Sequence, residues 1–488
     1  MKIIILGAGR VGASVADSLE SERNDITVID KDPERLRELE ARYDLRGVVG
    51  NGIDPSVLAE AGANDTDLLI ACAAQDETNL VCCKVAQMMF NVPKLIARVR
   101  SSGLETTEQL LGKDGFGVDR IICPEESLTR YIGKLIEFPE AMQVREFAGG
   151  RACLVSVRAR GAAPMVGHRI GALRLMAPDV AMRIVAIYRR FADEPDRFIS
   201  CDGSTMVEPG DEVFVLSGRD QIPEVLASFH RQSGQSSRPV RRVMMAGGGR
   251  VALRLAKQLT KRGNLQIKII DLNNERCVDL ASQLPSDVLV LNGDATDEEL
   301  LSSESIEDID LFLAITSDDE DNIMASLLAK RMGASRVLAL INRRSYADLM
   351  HGTQIDIALS PAQAMLGELL AYVRQGDVQA VHSLRRGVAE ALEIVARGDR
   401  KSSRVVGRKI SEIPLPPEVN MGLIVRGLPD TREPIDGEAP PPPEREPEVI
   451  IPRSHTVIES NDHVVFFLPN KRLVKDVEKL FRVSATYF

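Results

Sequence analysis

The 488-residue sequence contains no run of about 20 apolar residues, the length with which an α-helix spans a bilayer. It also has no surplus of basic charge, because 61 Lys and Arg stand against 71 Asp and Glu and give a net charge of −10. An acidic surface repels phosphate backbones and anionic lipids, so no nucleic acid partner is expected. Since the first apolar run, 3–6, reaches Gly7 too soon for a signal-peptide core, the sequence predicts a cytoplasmic protein.

Cysteine and histidine are few and scattered. The seven cysteines show no Cys-x-x-Cys spacing, which predicts buried, reduced thiols. Cys82 and Cys83 could instead form a redox-sensing pair, although their apolar neighbours favour packing in a core. None of the six histidines has the spacing of metal ligands or of a catalytic group, so neither a metal site nor a catalytic histidine is predicted.

The sequence instead contains an internal repeat with an offset of about 240 residues. Residues 3–12, Ile-Ile-Ile-Leu-Gly-Ala-Gly-Arg-Val-Gly, recur as Val-Met-Met-Ala-Gly-Gly-Gly-Arg-Val-Ala in 243–252. Further matches follow in the same order, with an offset that grows where loops are inserted. They pair 28–30 with 269–271, 76–79 with 319–322, 166–170 with 406–410 and 206–211 with 457–462. The chain is therefore predicted to consist of two homologous halves.

Each half is predicted to have two parts. In the first part, short β-branched runs alternate with helical patterns, as in a doubly wound parallel α/β sheet of Rossmann type. Examples are the predicted strands 26–30, 67–73 and 94–99 and the predicted helices 11–21, 33–43 and 76–90. The second part has paired strands, such as 153–157 with 212–216, and is predicted to be a small α+β module. The predicted domains are 1–138 and 241–373 of Rossmann type and 139–228 and 376–488 of α+β type, with a polar linker at 231–241.

One segment of the second half has no counterpart in the first. Residues 429–452 hold 8 of the 25 prolines and are rich in acidic side chains. We predict that they form a solvated, proline-rich insertion in the second α+β module. A docking segment for another protein is the alternative interpretation.

The pattern Gly7-x-Gly9-x-x-Gly12 follows a short apolar strand and opens the helix predicted at 11–21. In the dinucleotide-binding fingerprint the first glycine makes a tight turn, the second lets the backbone approach a pyrophosphate, and the third lets the helix pack on the strand. The helix N-terminus presents free amides to the phosphates. Asp30 ends the second predicted strand, where a carboxylate accepts the ribose hydroxyls and repels a 2′-phosphate. The first half therefore predicts a nucleotide site that favours NAD over NADP.

The second half repeats this pattern in 247–252, Gly-Gly-Gly-Arg-Val-Ala, with Asp271 in the ribose position. Ala252 is tolerated in place of the third glycine because the packing needs only a small residue. Arg10 and Arg250 occupy the same place in the two loops, and a guanidinium there can pair with phosphate oxygens, including those of a γ-phosphate. ATP and ADP therefore stay open as ligands beside NAD. A solvated surface position is the alternative for both arginines.

Further candidate contacts lie where other strands end, because ligands of doubly wound sheets bind beyond the carboxyl ends of the strands. Arg98 ends the predicted fifth strand and has no clear basic counterpart in the second half. Asp76 and Glu77 begin a helix, where acidic residues complement the helix dipole without a further role. The small or polar candidates after the third and fourth strands are Asn51, Ala73, Ala74, Thr316 and Ser317.

The signatures of catalysis are missing from the sequence. It has no Gly-x-x-x-x-Gly-Lys-Ser/Thr loop for nucleotide hydrolysis, no Tyr-x-x-x-Lys pair, and no recurrent polar cluster in the α+β parts. Two nucleotide domains without such chemistry favour a sensor that is not an enzyme. An NAD-dependent oxidoreductase with an unrecognised substrate module is the alternative, and a structural scaffold is a third interpretation.

The ordered motifs GAGRVG, VID, VVGNGIDPSVLAEAG and DLLIACAAQDETNLVCCKVAQ closely resemble a regulator-of-K⁺-conductance domain, the RCK-N or KTN domain. The segments VGHRI and EPGDEVFVL resemble its companion RCK-C domain. Two such pairs in tandem resemble the cytosolic nucleotide-binding subunits of bacterial Trk potassium-uptake systems. The resemblance covers nearly the whole chain and rests on the order and the duplication of the motifs.

This resemblance implies a regulatory protein that binds NAD(H), and ATP or ADP, and that opens or closes a pore in response. It implies a homo-oligomer, from a dimer to a tetrameric ring, on the inner face of the plasma membrane beneath an integral membrane potassium channel subunit of the TrkH type. Together with the strand-end positions, it implies a first site formed by Gly7, Ala8, Gly9, Arg10, Val11, Gly12, Asp30, Asn51, Ala73, Ala74 and Arg98. It implies a second site formed by Gly247, Gly248, Gly249, Arg250, Val251, Asp271, Thr316 and Ser317.

Overall fold

The structure of the chain is a computed structural model. It describes residues 1–20, 24–105, 108–112, 114–191, 194, 196–199, 201–230, 238–343, 346, 354–374, 377–385, 388–429 and 446–483. The chain folds into two compact units, of which one comprises Met1–Gly133 with Val240–Leu369 and the other comprises Lys134–Pro239 with Leu370–Phe488. We call the two stretches of the first unit the first and second lobes, and those of the second unit the first and second modules.

The described strands of the first lobe are β1 (Lys2–Leu6), β2 (Asp25–Asp30), β3 (Arg46–Val49), β4 (Leu68–Ala71), β5 (Leu95–Arg98) and β6 (Arg120–Ile122). They form a parallel sheet in the order β3-β2-β1-β4-β5-β6, in which Ile5 lies between Val28 and Ile70. This is the strand order of a dinucleotide-binding sheet, whose direction of winding changes between β1 and β4. The predicted α/β fold class is therefore confirmed.

The helices of the first lobe are α1 (Arg10–Glu20), α2 (Pro33–Glu40), α3 (Pro55–Glu60), α4 (Asp76–Phe90), α5 (Ser102–Glu105), α6 (Glu108–Leu111) and α7 (Pro124–Glu137). Asp-Pro pairs explain where α2 and α3 begin. The Asp32 carboxylate accepts from the amide of Glu34 at 3.0 Å, and the Asp54 carboxylate accepts from the amide of Ser56 at 2.9 Å. The following proline has no amide to satisfy and a backbone angle that suits the first helical position.

The first module consists, in its described part, of β7 (Gln143–Phe147), β8 (Ala152–Arg158), β9 (Met182–Arg189), β10 (Arg197–Ile199), β11 (Glu212–Gly218), α8 (Leu173–Met176) and α9 (Ile222–His230). Its strands form an antiparallel sheet in the order β10-β9-β11-β8-β7. Val157 lies opposite Val213 across the β8–β11 pair, so the predicted pairing of 153–157 with 212–216 is confirmed.

The second lobe repeats the first. Its described elements are β12 (Arg242–Ala246), α10 (Arg250–Thr260), β13 (Gln266–Asp271), α11 (Asn274–Gln283), β14 (Val288–Asn292), α12 (Glu298–Ser303), β15 (Leu311–Ala314), α13 (Asp319–Arg331), β16 (Val337–Leu340), β17 (Ile357–Leu359) and α14 (Pro361–Val373). The parallel order β14-β13-β12-β15-β16-β17 matches that of the first lobe strand for strand. The duplication that the sequence predicts is therefore present in the fold.

The second module contains β18 (Val378–Leu384), β19 (Ala389–Val395), β20 (Asn420–Arg426), β21 (Glu448–Ile450), β22 (His463–Leu468) and α15 (Val474–Phe481) among its described residues. Its antiparallel order is β18-β19-β22-β20-β21. Most of the proline-rich segment 429–452 lies outside the described residues. Its end does not fit the predicted solvated insertion, because 448–450 form an edge strand on β20. The apolar run Val449-Ile450-Ile451 explains this, since β-branched side chains favour a strand.

The two lobes contact each other through the helix that follows β6. On α7, the Ser127 hydroxyl donates to Glu368 Oε1 of α14 at 3.0 Å, and the Arg130 guanidinium lies 3.0 Å from the same oxygen. The Arg254 guanidinium of α10 lies 2.8 Å from Glu126 Oε2, also on α7. Helix α7 of the first lobe therefore contacts two helices of the second.

The two modules share one apolar core. Phe147 and Phe214 of the first module pack in the same cluster as Leu423 and Phe467 of the second, and each of the four side chains is at most 2% exposed. Each module also carries the same ion pair, in which an arginine at a strand end, Arg189 or Arg426, makes two 2.8 Å bonds to a buried aspartate that directly precedes β11 or β22. The aspartates, Asp211 and Asp462, occupy matching places in the repeat. The four-domain division at 1–138, 139–228, 241–373 and 376–488 stays a prediction.

The cysteines are free thiols, and six of the seven are buried, as the sequence predicts. Cys201 is the partly exposed one. Burial raises the pKa of the Cys82 thiol to about 12, so this group stays protonated at neutral pH. Because the thiolate is the reactive form, a redox role of the Cys82 and Cys83 pair is not supported. Within the described part of the chain, no helix combines the length and the apolar character that crossing a bilayer requires.

Candidate functional site

The first glycine loop is a tight turn at the carboxyl end of β1. Gly7 has a φ of +103°, a conformation that other residues rarely adopt, and its amide donates to the Ile29 carbonyl oxygen at 2.8 Å. A Cβ on Gly12 would collide with the Gly7 carbonyl oxygen, so α1 packs directly on the turn. Both glycines are therefore required by the backbone of the loop itself.

Gly9 is required for a different reason. A Cβ built on Gly9 would have no neighbour within 4 Å, so the protein does not fill the space above it. Helix α1 begins at the next residue, and its first backbone bond runs from the Ala13 amide to the Gly9 carbonyl at 2.9 Å. The first amides of a helix have no partner within the helix and attract anions. The open space and these amides form a pocket that can receive an anion such as a phosphate group, and we call this pocket the phosphate cradle.

The carboxylate of Asp30 is held by the backbone around the cradle. The Ala8 amide donates to Asp30 Oδ2 at 2.6 Å, and the Asp32 amide donates to Oδ1 at 2.9 Å. Each carboxylate oxygen has further lone pairs, so it can accept a ribose hydroxyl as well. The side chain is thus oriented in advance beside the loop.

The second lobe has the same arrangement. Gly247 has a φ of +102°, and its amide donates to the Ile270 carbonyl at 2.8 Å. Asp271 accepts from the Gly248 amide at 2.6 Å and from the Asn273 amide at 2.8 Å. Gly249, like Gly9, would meet nothing within 4 Å if it carried a Cβ. Two lobes with different sequences therefore hold the same cradle and the same carboxylate.

The two loops differ in how closely the protein surrounds them. A Cβ on Gly248 would lie 2.5 Å from Leu280 Cδ1, whereas the first lobe has Ala8 at the matching position. The Arg276 Nε atom donates to the Gly248 carbonyl at 2.6 Å and fixes the second loop from outside. Ala252 is fully buried at the position of Gly12. The alanine therefore fits in place of the third glycine, as expected, and the loop is held by contacts, such as that of Arg276, that differ from those of the first loop.

A buried asparagine joins the ends of β4 and β5 in each lobe. Asn79 is 0% exposed; its Oδ1 accepts from the Ala73 amide at 2.8 Å, and its Nδ2 donates to the Ala73 and Arg98 carbonyls at 3.1 and 2.9 Å. Asn322 makes the same bonds to Thr316 and Leu340 in the second lobe. The sequence analysis assigned these asparagines no role, although their repetition at offset 243 is the signal that could have found them.

Asp76 does more than complement the dipole of α4. Its Oδ2 accepts from the amides of Arg100 and Ser101 at 3.0 and 2.9 Å, and the Arg100 guanidinium donates to the Ala74 carbonyl. The expectation that Asp76 has no further role is therefore wrong, because it anchors the loop after β5. Asp319 accepts in the same way from the amides that follow β16, those of Asn342 and Arg343.

Two predicted residues of the first lobe carry buried polar atoms without hydrogen bonds among the described residues. They are Asn51 Oδ1, after β3, and Arg98 Nε, at the end of β5. Another nitrogen of Arg98, Nη2, lies 3.4 Å from Glu125 Oε1. Together with the open space at Gly9, these atoms fit a polar ligand at the carboxyl edge of the sheet.

The structure places the remaining predicted residues at the same edges. Arg10 and Arg250 begin α1 and α10 with exposed side chains, and Val11 and Val251 follow them. Ala74 and Ser317 are exposed in the turns after β4 and β15. No group of three or more His, Cys, Asp or Glu side chains in the described ranges could hold a metal ion.

Comparison with known proteins agrees with this geometry. Residues 3–124 and 243–361 match the TrkA-N domain family. The chain is similar to the Trk system potassium uptake protein TrkA of Halomonas elongata, with 46% identity over 100% of both chains. Among solved structures it is similar in fold to the GsuK RCK domain, with a TM-score of 0.57, 17% identity and coverage of 98% of this chain and 94% of that one. The GsuK channel bound to NAD gives a TM-score of 0.56 and 17% identity, with 98% and 78% coverage.

Proposed function

We propose, from the premise that the chain belongs to the TrkA family of Trk system potassium uptake proteins, that it senses nucleotides at two sites and regulates a potassium channel. The family is one of potassium uptake proteins and not of enzymes. The nucleotide is a signal, and the protein leaves it chemically intact. NAD(H) is the first candidate ligand, and ATP and ADP are the others.

One observation carries this proposal: both lobes hold an aspartate 2.6 Å from the second amide of an open glycine loop. Glycine loops of this form receive pyrophosphates, and the aspartate receives the ribose hydroxyls. A channel of similar fold, GsuK, is described as bound to NAD. The residues around the two loops differ, but both lobes keep the bond between the loop and the aspartate. This shared arrangement is the one that nucleotide binding requires.

Each residue has a specific task in this proposal. The first amides of α1 and α10 bind the phosphates, and Gly9 and Gly249 leave room for them. Asp30 and Asp271 bind the ribose and exclude a 2′-phosphate. In the first site Asn51, Ala73, Ala74 and Arg98 line the rest of the ligand, and in the second site Thr316 and Ser317 do so.

Arg10 distinguishes di- from triphosphates in this proposal. Its exposed side chain begins α1, beside the phosphate cradle. Replacing it by alanine removes the charge and leaves the loop glycines in place. Isothermal titration of Arg10→Ala with ATP and ADP is expected to give nearly equal affinities where the native chain discriminates. Unchanged ATP and ADP affinities would remove Arg10 from the site.

The partner in this proposal is an integral membrane channel subunit of the TrkH type. A ring of subunits, from dimer to tetramer, acts on it from the inner face of the plasma membrane. A ligand moves a gate only by binding two states with different affinity. A preference of about tenfold at each of four coupled sites gives about 10⁴-fold in total, which is enough to move a gate from mostly closed to mostly open.

Potassium flux into liposomes tests the proposal directly. Liposomes carrying a TrkH-type channel are measured with and without this chain, against NADH, NAD⁺, ATP and ADP. We expect at least one nucleotide to change the flux only when the chain is present. The matched control is the double variant Gly9→Val, Gly249→Val, in which the Cβ of each valine enters a cradle without a protein atom within 4 Å. The proposal would be overturned if none of the nucleotides changed the potassium flux. It would also be overturned if the chain catalysed the oxidation of NADH by a carbonyl substrate.

A further inference from the structure

One arginine of the second lobe reaches the nucleotide-binding edge of the first. Arg254 lies on α10, four residues after Arg250. Its Nη1 donates to Glu126 Oε2 at 2.8 Å, and its Nη2 donates to the Arg100 carbonyl oxygen at 3.0 Å. The Arg254 side chain is 19% exposed, so water screens this contact less than it screens an ordinary surface ion pair.

The loop that receives Arg254 is hydrogen-bonded to the first candidate site. Asp76 fixes this loop through the amides of Arg100 and Ser101, and the Arg100 guanidinium donates to the Ala74 carbonyl. Ala74 lies in the turn after β4 that the first site uses. A displacement of the Arg100 backbone therefore reaches the ligand contacts of the first lobe directly.

The helix that presents Arg254 begins at the second candidate site. Gly249 caps α10, and the first amides of the helix face the phosphate cradle of the second lobe. Further along the same helix, Gln258 packs against Gly133 of α7, and in the turn after the helix the Arg262 Nη1 atom donates to the Gly133 carbonyl at 3.4 Å. Helix α10 thus runs along α7 from one contact to the other, and its N-terminal turn borders the second candidate site.

The second lobe contacts the first through Arg254, but the matching residue of the first lobe makes no equivalent contact among the described residues. The first-lobe residue that matches Arg254 is Ser14, whose hydroxyl donates to the Arg10 carbonyl of its own helix at 2.9 Å. The residue that matches Arg100 is Asn342, whose amide and side-chain nitrogen both donate to Asp319 of its own lobe at 2.9 Å. A serine side chain is too short to make the contact that the Arg254 guanidinium makes. The contact is therefore made to the loop beside the first site and not to the matching loop beside the second.

We propose that Arg254 couples the two nucleotide sites, so that filling the second cradle at the start of α10 changes the affinity of the first site through the Arg100 loop. This inference rests on the proposed nucleotide binding. Arg254 acts here as a positioning residue, since it touches the loop and not the ligand. Coupling between two binding sites is reciprocal, so the first ligand changes the affinity of the second site by the same factor.

The coupling factor is measured with ADP by isothermal titration of the full chain. Gly249→Val leaves only the first site, and Gly9→Val leaves only the second, because the Cβ of each valine enters its cradle without a protein atom within 4 Å. In the native chain, titration gives the overall association constant for binding ADP at both sites. The coupling factor is this constant divided by the product of the two single-site association constants. We expect it to depart from one by at least about fivefold.

Arg254→Gln is expected to bring this factor close to one and to leave both single-site affinities unchanged. Arg262→Gln is the matched control, because it removes a guanidinium that follows the same helix and contacts α7, without touching the Arg100 loop. It should keep the native factor. Glu126→Gln keeps the bond to the Arg100 carbonyl and should retain part of the coupling, which supplies a second test if Arg254→Gln unfolds.

The possible results distinguish failure of this inference from failure of the proposed function. A native factor of one, or a native factor retained in Arg254→Gln, would refute coupling by Arg254 while both sites still bind ADP. Single-site affinities that fall in Arg254→Gln with the factor unchanged would show a purely structural role. A native chain that binds neither ADP nor NADH would overturn the proposed function itself.

Discussion

The backbone amide of Ala8 donates to Asp30 Oδ2 at 2.6 Å, and the second lobe reproduces this bond between Gly248 and Asp271 at the same distance. The bond joins the middle of the glycine loop to the end of the second strand. The loop and the carboxylate are therefore one structural unit, in which the position of the ribose acceptor depends on the conformation of the phosphate cradle. A change to either part is expected to affect both.

The first prediction concerns the charge of that carboxylate. In Asp30→Asn the single amide oxygen can accept from Ala8 or from Asp32, and the amide NH2 group faces the other donor. We expect NADH affinity at the first site to fall about tenfold, since hydrogen bonds to charged groups contribute about 1.5–3 kcal/mol. Preference for NADH over NADPH should also weaken. NADH fluorescence titrations in a Gly249→Val background measure both.

Asp271→Asn in a Gly9→Val background is the matched control for this prediction, because Asp271 accepts the equivalent two bonds. It should weaken the second site in the same way. A native NADH affinity in Asp30→Asn would show that the carboxylate does not contact the ribose.

The second prediction separates the two tasks of the first glycine loop. Gly9→Val is expected to abolish ADP binding at the first site with little change in stability, because a Cβ there meets no protein atom within 4 Å. Gly12→Ala is expected to destabilise the lobe by about 3 kcal/mol, because its Cβ would collide with the Gly7 carbonyl. Urea unfolding and ADP titration of both variants check this. Equal effects of the two substitutions on unfolding would contradict it.

The local features of the sites were predictable because they depend on residues close in sequence. The order of strand, glycine turn and helix at Gly7, and again at Gly247, fixes the cradle through nearest-neighbour geometry. The aspartate that ends the next strand pairs with the loop because β1 and β2 are adjacent in the sheet. The internal repeat made these predictions stronger, because each motif could be compared with a second copy at the matching position of the other half.

The contacts between elements were not predictable in the same way. Asn79 and Asp76 were visible as a repeated motif, but their partners lie at the end of β4, at the end of β5 and in the loop after it. No periodicity shows which carbonyl or amide a buried side chain meets. Arg254 and Glu126 are 128 residues apart, and their meeting depends on how the lobes pack. The edge strand 448–450 was missed because the composition of 429–452 is dominated by proline.

The third prediction tests the bridge between β4 and β5. Asn79→Asp keeps the shape of the side chain but replaces the NH2 group that donates to the Ala73 and Arg98 carbonyls. At 0% exposure the carboxylate would face two carbonyl oxygens away from water. We expect a loss of about 3 kcal/mol in stability and weaker ADP binding at the first site. Asn322→Asp should have a matching effect on the second site, and a native urea midpoint in both variants would contradict the bridge.

The fourth prediction concerns a buried histidine of the second module. His382 Nε2 lies 3.0 Å from the Glu146 carbonyl oxygen, where a neutral ring donates a hydrogen bond, and the ring packs edge-on against Phe147 with centroids 5.0 Å apart. Burial, together with the nearby positive charges of Arg145 and Lys134, lowers the pKa of His382 to about 3 from its ordinary 6.5. The folded protein therefore keeps this ring neutral where the unfolded chain protonates it.

Between pH 6.5 and 3 the unfolded chain binds one more proton at His382 than the folded chain does, so this group makes the protein less stable as the pH falls. The slope reaches at most about 1.4 kcal/mol per pH unit. In His382→Gln that part of the pH dependence disappears, while a side-chain amide can still donate to the Glu146 carbonyl. The baseline is the difference between the urea midpoints of the two proteins at pH 8, where the ring is neutral in both the folded and the unfolded state. At pH 5 the urea midpoint of the variant should rise relative to that of the native chain. A constant difference between pH 8 and pH 5 would show that the ring is protonated equally in the folded and unfolded states.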